Sequence, residues 1–299
     1  MTNFDTNPTC RIETQFRLPD FLIIGAAKSG TTTLWHLLGQ HPEVFLPRVK
    51  EPWFFSHHHE RGLGWYADLF SEAPAGSICG EASVTYTMRS SYPGVAERIA
   101  ETLPEAKLIY IVRHPLQQIE SMFFQRRKVS GKQVPHEFNR AIHRCSYLID
   151  GACYARQLDP YRRYVDDDRV LLLLLDDLEA KPRETLARTL AFLGVDPEFS
   201  PPDDRPRNVS VRHTVDTHTA SFLRRLPGFR WVADHTPRSM IRAARSILKQ
   251  PINERPGWTR ETYTRVLTAV RPEAQEVLRR LGRPESTWDL SANSIRLID

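Results

Sequence analysis

The chain has 299 residues, 40% hydrophobic and 26% charged, the composition of an ordinary globular protein able to bury a large core. No apolar run approaches the roughly 20 residues needed to cross a bilayer, because Asp176 and Asp177 stop the run from Leu171 to Leu175. The net charge of +5 singles out no partner, since an anionic nucleotide, an anionic glycan and nucleic acid all suit it.

The first predicted element is a buried strand at Phe21–Ile24, followed by a turn bounded by Gly25 and Gly30 and a helix over Thr31–Gly39. Such a junction aims backbone N–H groups, hydroxyls and a lysine at one point, and the positive end of the helix dipole favours an anion there. The glycine spacing is that of a nucleotide-kinase phosphate loop, but Thr31 follows Gly30 and the lysine, Lys28, lies two residues before it. A lysine moved inward suits a shorter anionic group than a nucleoside triphosphate. The alternative is an ordinary strand–turn–helix junction with a solvated lysine.

A strand at Val44–Leu46 comes next, then Lys50-Glu51-Pro52-Trp53-Phe54-Phe55 and three histidines, His57, His58 and His59. Pro52 disfavours helix at Glu51 and predicts an extended or turn conformation there. Three consecutive histidines cannot all face one ion on regular structure, so they read as a surface turn and no metal is expected. A strand at Ile78–Ala82 carries Glu81 near its end. A helix at Gly94–Thr102 leads to a strand at Leu108–Val112 and to Arg113, with Ser121 eight residues on in a helix at Pro115–Val129. That spacing lets both side chains converge on one phosphate; a surface salt bridge for Arg113 is the alternative. Helices at Pro135–Arg144, Gly151–Tyr164 and Pro182–Leu193 flank a strand at Val170–Leu175.

Strands alternating with amphipathic helices predict an α/β fold with a parallel sheet covered on both faces. No repeat appears, so the expectation is one domain over residues 1–299, with an N-terminal extension to residue 20 and an irregular or helical, arginine-rich part from residue 200. Arg224, Arg225, Arg230, Arg238, Arg242, Arg245, Lys249 and Arg255 in that part form either a solvated face or a cradle for an acidic acceptor or membrane surface. The four cysteines, Cys10, Cys79, Cys145 and Cys153, show no Cys-x-x-Cys pairing and are expected reduced.

The segment Ala27-Lys28-Ser29-Gly30-Thr31-Thr32 resembles the 5′-phosphosulfate loop of sulfotransferases that use 3′-phosphoadenosine 5′-phosphosulfate (PAPS). Ile111-Val112-Arg113-His114-Pro115 through Ser121 is similar to that family's 3′-phosphate site. Lys50 to Phe55 and Gly62-Leu63-Gly64-Trp65-Tyr66 resemble the heparan-sulfate-type branch and its bacterial relatives.

The resemblance implies a P-loop-like three-layer fold and transfer of a sulfuryl group from PAPS to an acceptor hydroxyl, less readily an amine. It implies Lys28, Ser29, Gly30, Thr31 and Thr32 on the 5′ side and Arg113 with Ser121 on the 3′-phosphate. Arg207, Asn208 and Ser210 resemble the late loop over the nucleotide, an ordinary turn being the alternative. Glu51 is the implied base and Lys28 the cation at the leaving oxygen, with a histidine of the 57–59 run as a rival base. The aromatics after Glu51 would desolvate its carboxyl. Lys50 would orient Glu51 or touch the acceptor, and Glu81 would hold the acceptor or pair with Lys28 or Arg113. Tyr154 matches a recurrent tyrosine that serves packing or ligand contact. The implied acceptor is a small molecule or a glycan, a saccharide or glycolipid included, with no metal and no nucleic acid required, and contact with a membrane surface left open. A polar N-terminus without an anchor points to a cytoplasmic, bacterial enzyme. The rivals are a P-loop kinase of a nucleotide or small molecule and a non-enzymatic polyanion-binding protein.

Overall fold

The computed structural model describes residues 16–128, 134–205, 213–216, 249–252 and 255–298. Its centre is a parallel sheet in the order β2-β3-β1-β4-β5. The strands are β1 Phe21–Gly25, β2 Val44–Phe45, β3 Ile78–Ala82, β4 Lys107–Val112 and β5 Val170–Leu174. They are mostly apolar because both sheet faces are covered, the acidic and basic exceptions being Glu81 in β3 and Lys107 at the start of β4. Side chains alternate across the sheet: Leu22, Ile24, Leu108, Tyr110 and Val112 enter one core, and Phe21, Ile23, Ile109, Ile111 and Leu173 enter the other.

Helices α1 (Thr31–Leu38), α9 (Leu175–Ala180) and α10 (Pro182–Leu193), here numbered with those that follow in chain order, pack on the second core through Leu34, Leu178 and Leu190. The first core is covered by α2 (Phe54–His57), α3 (Gly62–Asp68), α4 (Val95–Thr102), α8 (Tyr154–Leu158) and part of α11 (Arg260–Arg280). A third core joins α5 (Pro115–Lys128), α6 (Phe138–Arg144) and α7 (Tyr147–Asp150) to the rest of α11. A hairpin pairs β6 (His213–Asp216) with β7 (Lys249–Ile252), and β8 (Gly257–Trp258) runs parallel to β9 (Arg296–Leu297).

Three sequence expectations need correction. The helix expected at Gly151–Tyr164 ends at Leu158, and a separate 3-10 turn covers Tyr161–Arg163; Pro160 between them has no N–H to continue the helix. The helix expected from Pro135 starts at Phe138, because the Glu137 carboxylate accepts from the Asn139 and Arg140 N–H groups at 2.7 and 2.6 Å and so acts as its N-cap. The C-terminal part contains the 21-residue helix α11, which sequence reading did not delimit. Thr259 caps it, and Val266, Val270, Ala274 and Val277 form its buried stripe at helical spacing. Pro272 lies on its exposed side, where a missing backbone donor is least costly.

From β1 the chain first builds β2 and β3 on one side and then β4 and β5 on the other. The carboxyl end of β1 is therefore the switch point of the sheet, where ligands of such folds bind.

Candidate active site

The loop after β1 is built for close approach. A Cβ on Gly25 would lie 2.1 Å from Thr87 Oγ1, whose hydroxyl donates to the Ile24 carbonyl at 3.1 Å. Gly30 takes a left-handed φ of 93°, and a Cβ there would lie 2.6 Å from Leu175 Cδ1. Gly30 is the N-cap of α1 and no side chain caps that helix, so the first-turn N–H groups at Thr31 and Thr32 open towards the loop. Thr31 is buried and Thr32 half-buried.

β4 lies next to β1, which brings the second motif to the first. The Arg113 Nη1 donates to the Lys28 carbonyl at 3.1 Å, and its Nη2 donates to Gln117 Oε1 at 2.9 Å. Gln118 Nε2 donates to the Ala27 carbonyl at 3.2 Å. Ser121 lies one helical turn beyond Gln118 on α5. The Tyr154 hydroxyl lies beside Ser29 and Arg113. Ser29 Oγ, Arg113 Nε, Gln118 Oε1, Ser121 Oγ and the Tyr154 hydroxyl are all buried without a hydrogen-bond partner. Buried polar atoms are nearly always paired, so this set marks a place prepared for a polar ligand.

Lys28 supplies the charge. Its φ is 67°, in the left-handed region that a non-glycine residue occupies only under strain. Burial lowers its pKa first, followed by the fields of Lys128, Arg113 and, more weakly, Lys50, while Glu51 acts in the opposite sense. Cations gathered at one half-buried point are a binding site for a strong anion. Lys128 was not singled out from sequence. It lies seven residues after Ser121 in α5 and so on the same helical face, and that periodicity was the available signal.

Glu51 stands on the loop before α2 with a φ of 62°, and Trp53 follows at 54°. Lys50 Nζ lies 2.9 Å from one carboxylate oxygen, and the Trp53 indole N–H donates to the other at 3.1 Å. The structure thus brings Lys28 of the loop after β1 to Lys50 and Glu51; Glu51 is not helical, as Pro52 implied, but its backbone is left-handed rather than extended. The aromatic shell differs from expectation. Phe54 stacks on Tyr66 at 4.2 Å and Phe55 packs edge-on against Tyr86, both rings being fully buried. They face the core, and the aromatic group at the Glu51 carboxylate is the indole of Trp53. The Glu51 side chain keeps 26% of its surface exposed.

Glu81 requires a correction. It is fully buried and pairs with neither Lys28 nor Arg113. Its carboxylate accepts hydroxyls from Tyr66 at 3.1 Å, Ser83 at 2.8 Å and Tyr86 at 2.5 Å. A group so enclosed cannot hold an acceptor in solution. Burial pushes its carboxyl up to about 7, against the three donating hydroxyls and with a smaller push from Glu51.

The histidines diverge. His57 Nε2 meets the Tyr92 hydroxyl at 2.6 Å, His58 lies 3.8 Å from Glu60, and His59 packs on Phe54. Among the described residues no three His, Cys, Asp or Glu side chains form a metal-ligating group. Arg255, read as part of a basic cradle, forms a bidentate pair with the buried Glu120 at 2.8 and 2.9 Å. Arg207, Asn208 and Ser210, and the arginines between 224 and 245, lie outside the described residues.

Residues 18–253 match the family model for the sulfotransferase domain. A stretch of 186 residues is 30% identical to mouse heparan sulfate glucosamine 3-O-sulfotransferase 3B1, covering 60% of this chain and 47% of that protein. Another, of 140 residues, is 36% identical to the membrane-associated sulfotransferase kil1 of Dictyostelium discoideum, covering 44% of this chain and 29% of that one. The chain spans less than half the length of these relatives. A solved sulfotransferase from Alicyclobacillus acidocaldarius superposes with a TM-score of 0.63 at 21% identity, covering 91% of this chain and 99% of that one. This likeness bears on the fold, which is the P-loop-like three-layer α/β arrangement. With the family model spanning most of its length, the chain belongs to the sulfotransferase domain family.

Proposed function

We propose that this chain transfers a sulfuryl group from PAPS to an acceptor hydroxyl, acting as one domain. The observation that carries the reading is the anion site at the end of β1, where Lys28 sits among cations beside partnerless buried donors. Lys28, Ser29, Gly30, Thr31 and Thr32 hold the 5′-phosphosulfate, and Arg113 with Ser121 holds the 3′-phosphate. Lys28 neutralises the charge that builds on the departing phosphate oxygen, and such preorganised electrostatics is the main catalytic resource for this type of displacement. Glu51, beside Lys28, takes the proton of the acceptor hydroxyl. Lys50 and the Trp53 indole fix the direction of its carboxylate. A saccharide acceptor is supported by the substrate in the names of the heparan sulfate relatives.

The test is calorimetry with 3′-phosphoadenosine 5′-phosphate (PAP) and ADP, without magnesium. Hydrogen bonds to charged groups contribute about 1.5–3 kcal/mol, so PAP should bind roughly tenfold or more tighter through Arg113 and Ser121. Equal affinities would overturn the donor assignment. Transfer of label from PAPS to a panel of heparan sulfate, glycolipid, phenol and peptide then identifies the acceptor class.

A further inference from the structure

Glu81 is a buried acid that the proposed chemistry leaves unused. Among the described residues, no Lys, Arg or His makes an ion pair with it. Its strand position is fixed by β1, where Glu81 stands opposite Leu22, while the β2 pairing of the same strand reaches Ile78 and Cys79. What distinguishes it is the second contact made by each of its donors. Ser83 Oγ accepts the Trp53 N–H at 3.1 Å. The Tyr86 hydroxyl accepts the Phe55 N–H at 3.4 Å. Tyr66 stacks its ring on Phe54 at 4.2 Å, with the planes 6° apart. Three groups converging on one carboxylate therefore hold three consecutive residues.

Those residues begin α2, whose N-cap, Trp53, has no side-chain cap of its own. First-turn N–H groups need outside acceptors, and here hydroxyls of Ser83 and Tyr86 supply them. A hydroxyl has a single hydrogen. When that hydrogen points to Glu81, the oxygen lone pairs remain for the backbone donors of the loop. Glu81 thus sets the polarity of both relays. The loop needs such support because Glu51 and Trp53 hold left-handed conformations, which persist only where the surroundings over-determine them. Trp53 passes the constraint on, its indole N–H gripping the Glu51 carboxylate at 3.1 Å.

We propose that Glu81 is the positioning residue of the active-site loop, fixing Trp53, Phe54 and Phe55 through Ser83, Tyr66 and Tyr86 and thereby aiming Glu51. This rests on the reading of Glu51 as the base. Replacing the carboxylate with an amide sets an N–H₂ against a hydroxyl donor, so at least one relay hydroxyl must turn its hydrogen away from residue 81, towards the side on which it receives its backbone N–H, and hold that N–H less well.

The experiment compares Glu81→Gln and Tyr86→Phe with the unsubstituted protein, at a pH above about 7 where the Glu81 carboxyl is ionised, by amide hydrogen exchange, PAP calorimetry and PAPS transfer to the best acceptor of the panel. The expected result is exchange over residues 53–57 faster by roughly twofold to tenfold, the size of one weakened or lost neutral hydrogen bond. A matching fall in kcat and PAP affinity within about twofold should accompany it. Unchanged exchange in both variants overturns the proposal. So does a loss of PAP affinity in parallel with kcat, which would make Glu81 a general structural residue. If Glu81→Gln fails to fold, Tyr86→Phe, which removes one relay only, decides by the same criteria. A fully active Glu51→Gln would sink the base reading alone, because the exchange measurement on the loop does not depend on it.

Discussion

At the scale of single residues, the proposed site divides its work between a half-buried cation, Lys28, and a half-buried carboxylate, Glu51, and substitutions should separate them. Lys28→Ala should lower turnover far more than it weakens PAP binding, because its charge matters most while negative charge builds on the leaving oxygen. Transfer kinetics set beside calorimetry check this, and equal losses in the two would make Lys28 a plain binding residue. Glu51→Gln should keep the fold and PAP binding while turnover falls on the order of 10²–10⁴-fold, as loss of a general base does. Single His57→Ala, His58→Ala and His59→Ala variants provide the comparison. If one of those is inactive while Glu51→Gln turns over normally, the base has been misassigned. Lys28, Glu51 and Arg113 were all visible in sequence, because a phosphate loop and a residue before proline leave local marks. Their meeting point was not, since it depends on β1 and β4 being neighbours.

At the scale of elements, α5 carries both Ser121 and Glu120, and they do different work. Ser121 has no hydrogen-bond partner among the described residues and lies in the proposed nucleotide site, whereas Glu120 ties α5 to the C-terminal part through Arg255 and through the Trp258 indole N–H at 2.9 Å. Glu120 is 8% exposed at its side chain and Arg255 is 44% exposed. Arg255→Ala therefore strands a buried carboxylate. Removing one partner of a buried pair costs about 3–5 kcal/mol, and the lower end, about 3, is expected because the indole donor remains. Denaturant unfolding of the variant measures it; a loss well under ~1 kcal/mol would show the pair to be an ordinary surface one. The arginine-rich composition suggested a cationic face but could not show that Arg255 is neutralised by a residue 135 positions away. Helix α11 fell within the part read as irregular or helical, whose ends the sequence reading did not mark.

At the scale of the whole molecule, the buried Glu81 should leave a signature in the pH dependence of stability. Burial pushes its carboxyl up to about 7 in the fold, from an ordinary value of 4.5. Between those values the unfolded chain has released the proton and the folded one still holds it. Stability from this group is thus full below about 4.5, declines as pH rises, and is lost above about 7. The shift corresponds to a few kcal/mol at most, on the order of 3. Melting temperatures of the protein and of Glu81→Gln across that range should converge or cross, and parallel curves would show that Glu81 titrates normally.

The sequence by itself determined the strands of the sheet and the two motifs of the proposed donor site, because each is written in nearby residues: apolar runs of strand length, glycines at a tight turn, and an arginine before a helix with a serine eight residues on. Only the tertiary structure decided what Glu81 does. Its local signal, a carboxylate at a strand end, is the same for a ligand contact and for a buried support. The difference lies in Tyr66, Ser83 and Tyr86, which reach it from separate elements and turn a potential acceptor contact into the anchor of the loop.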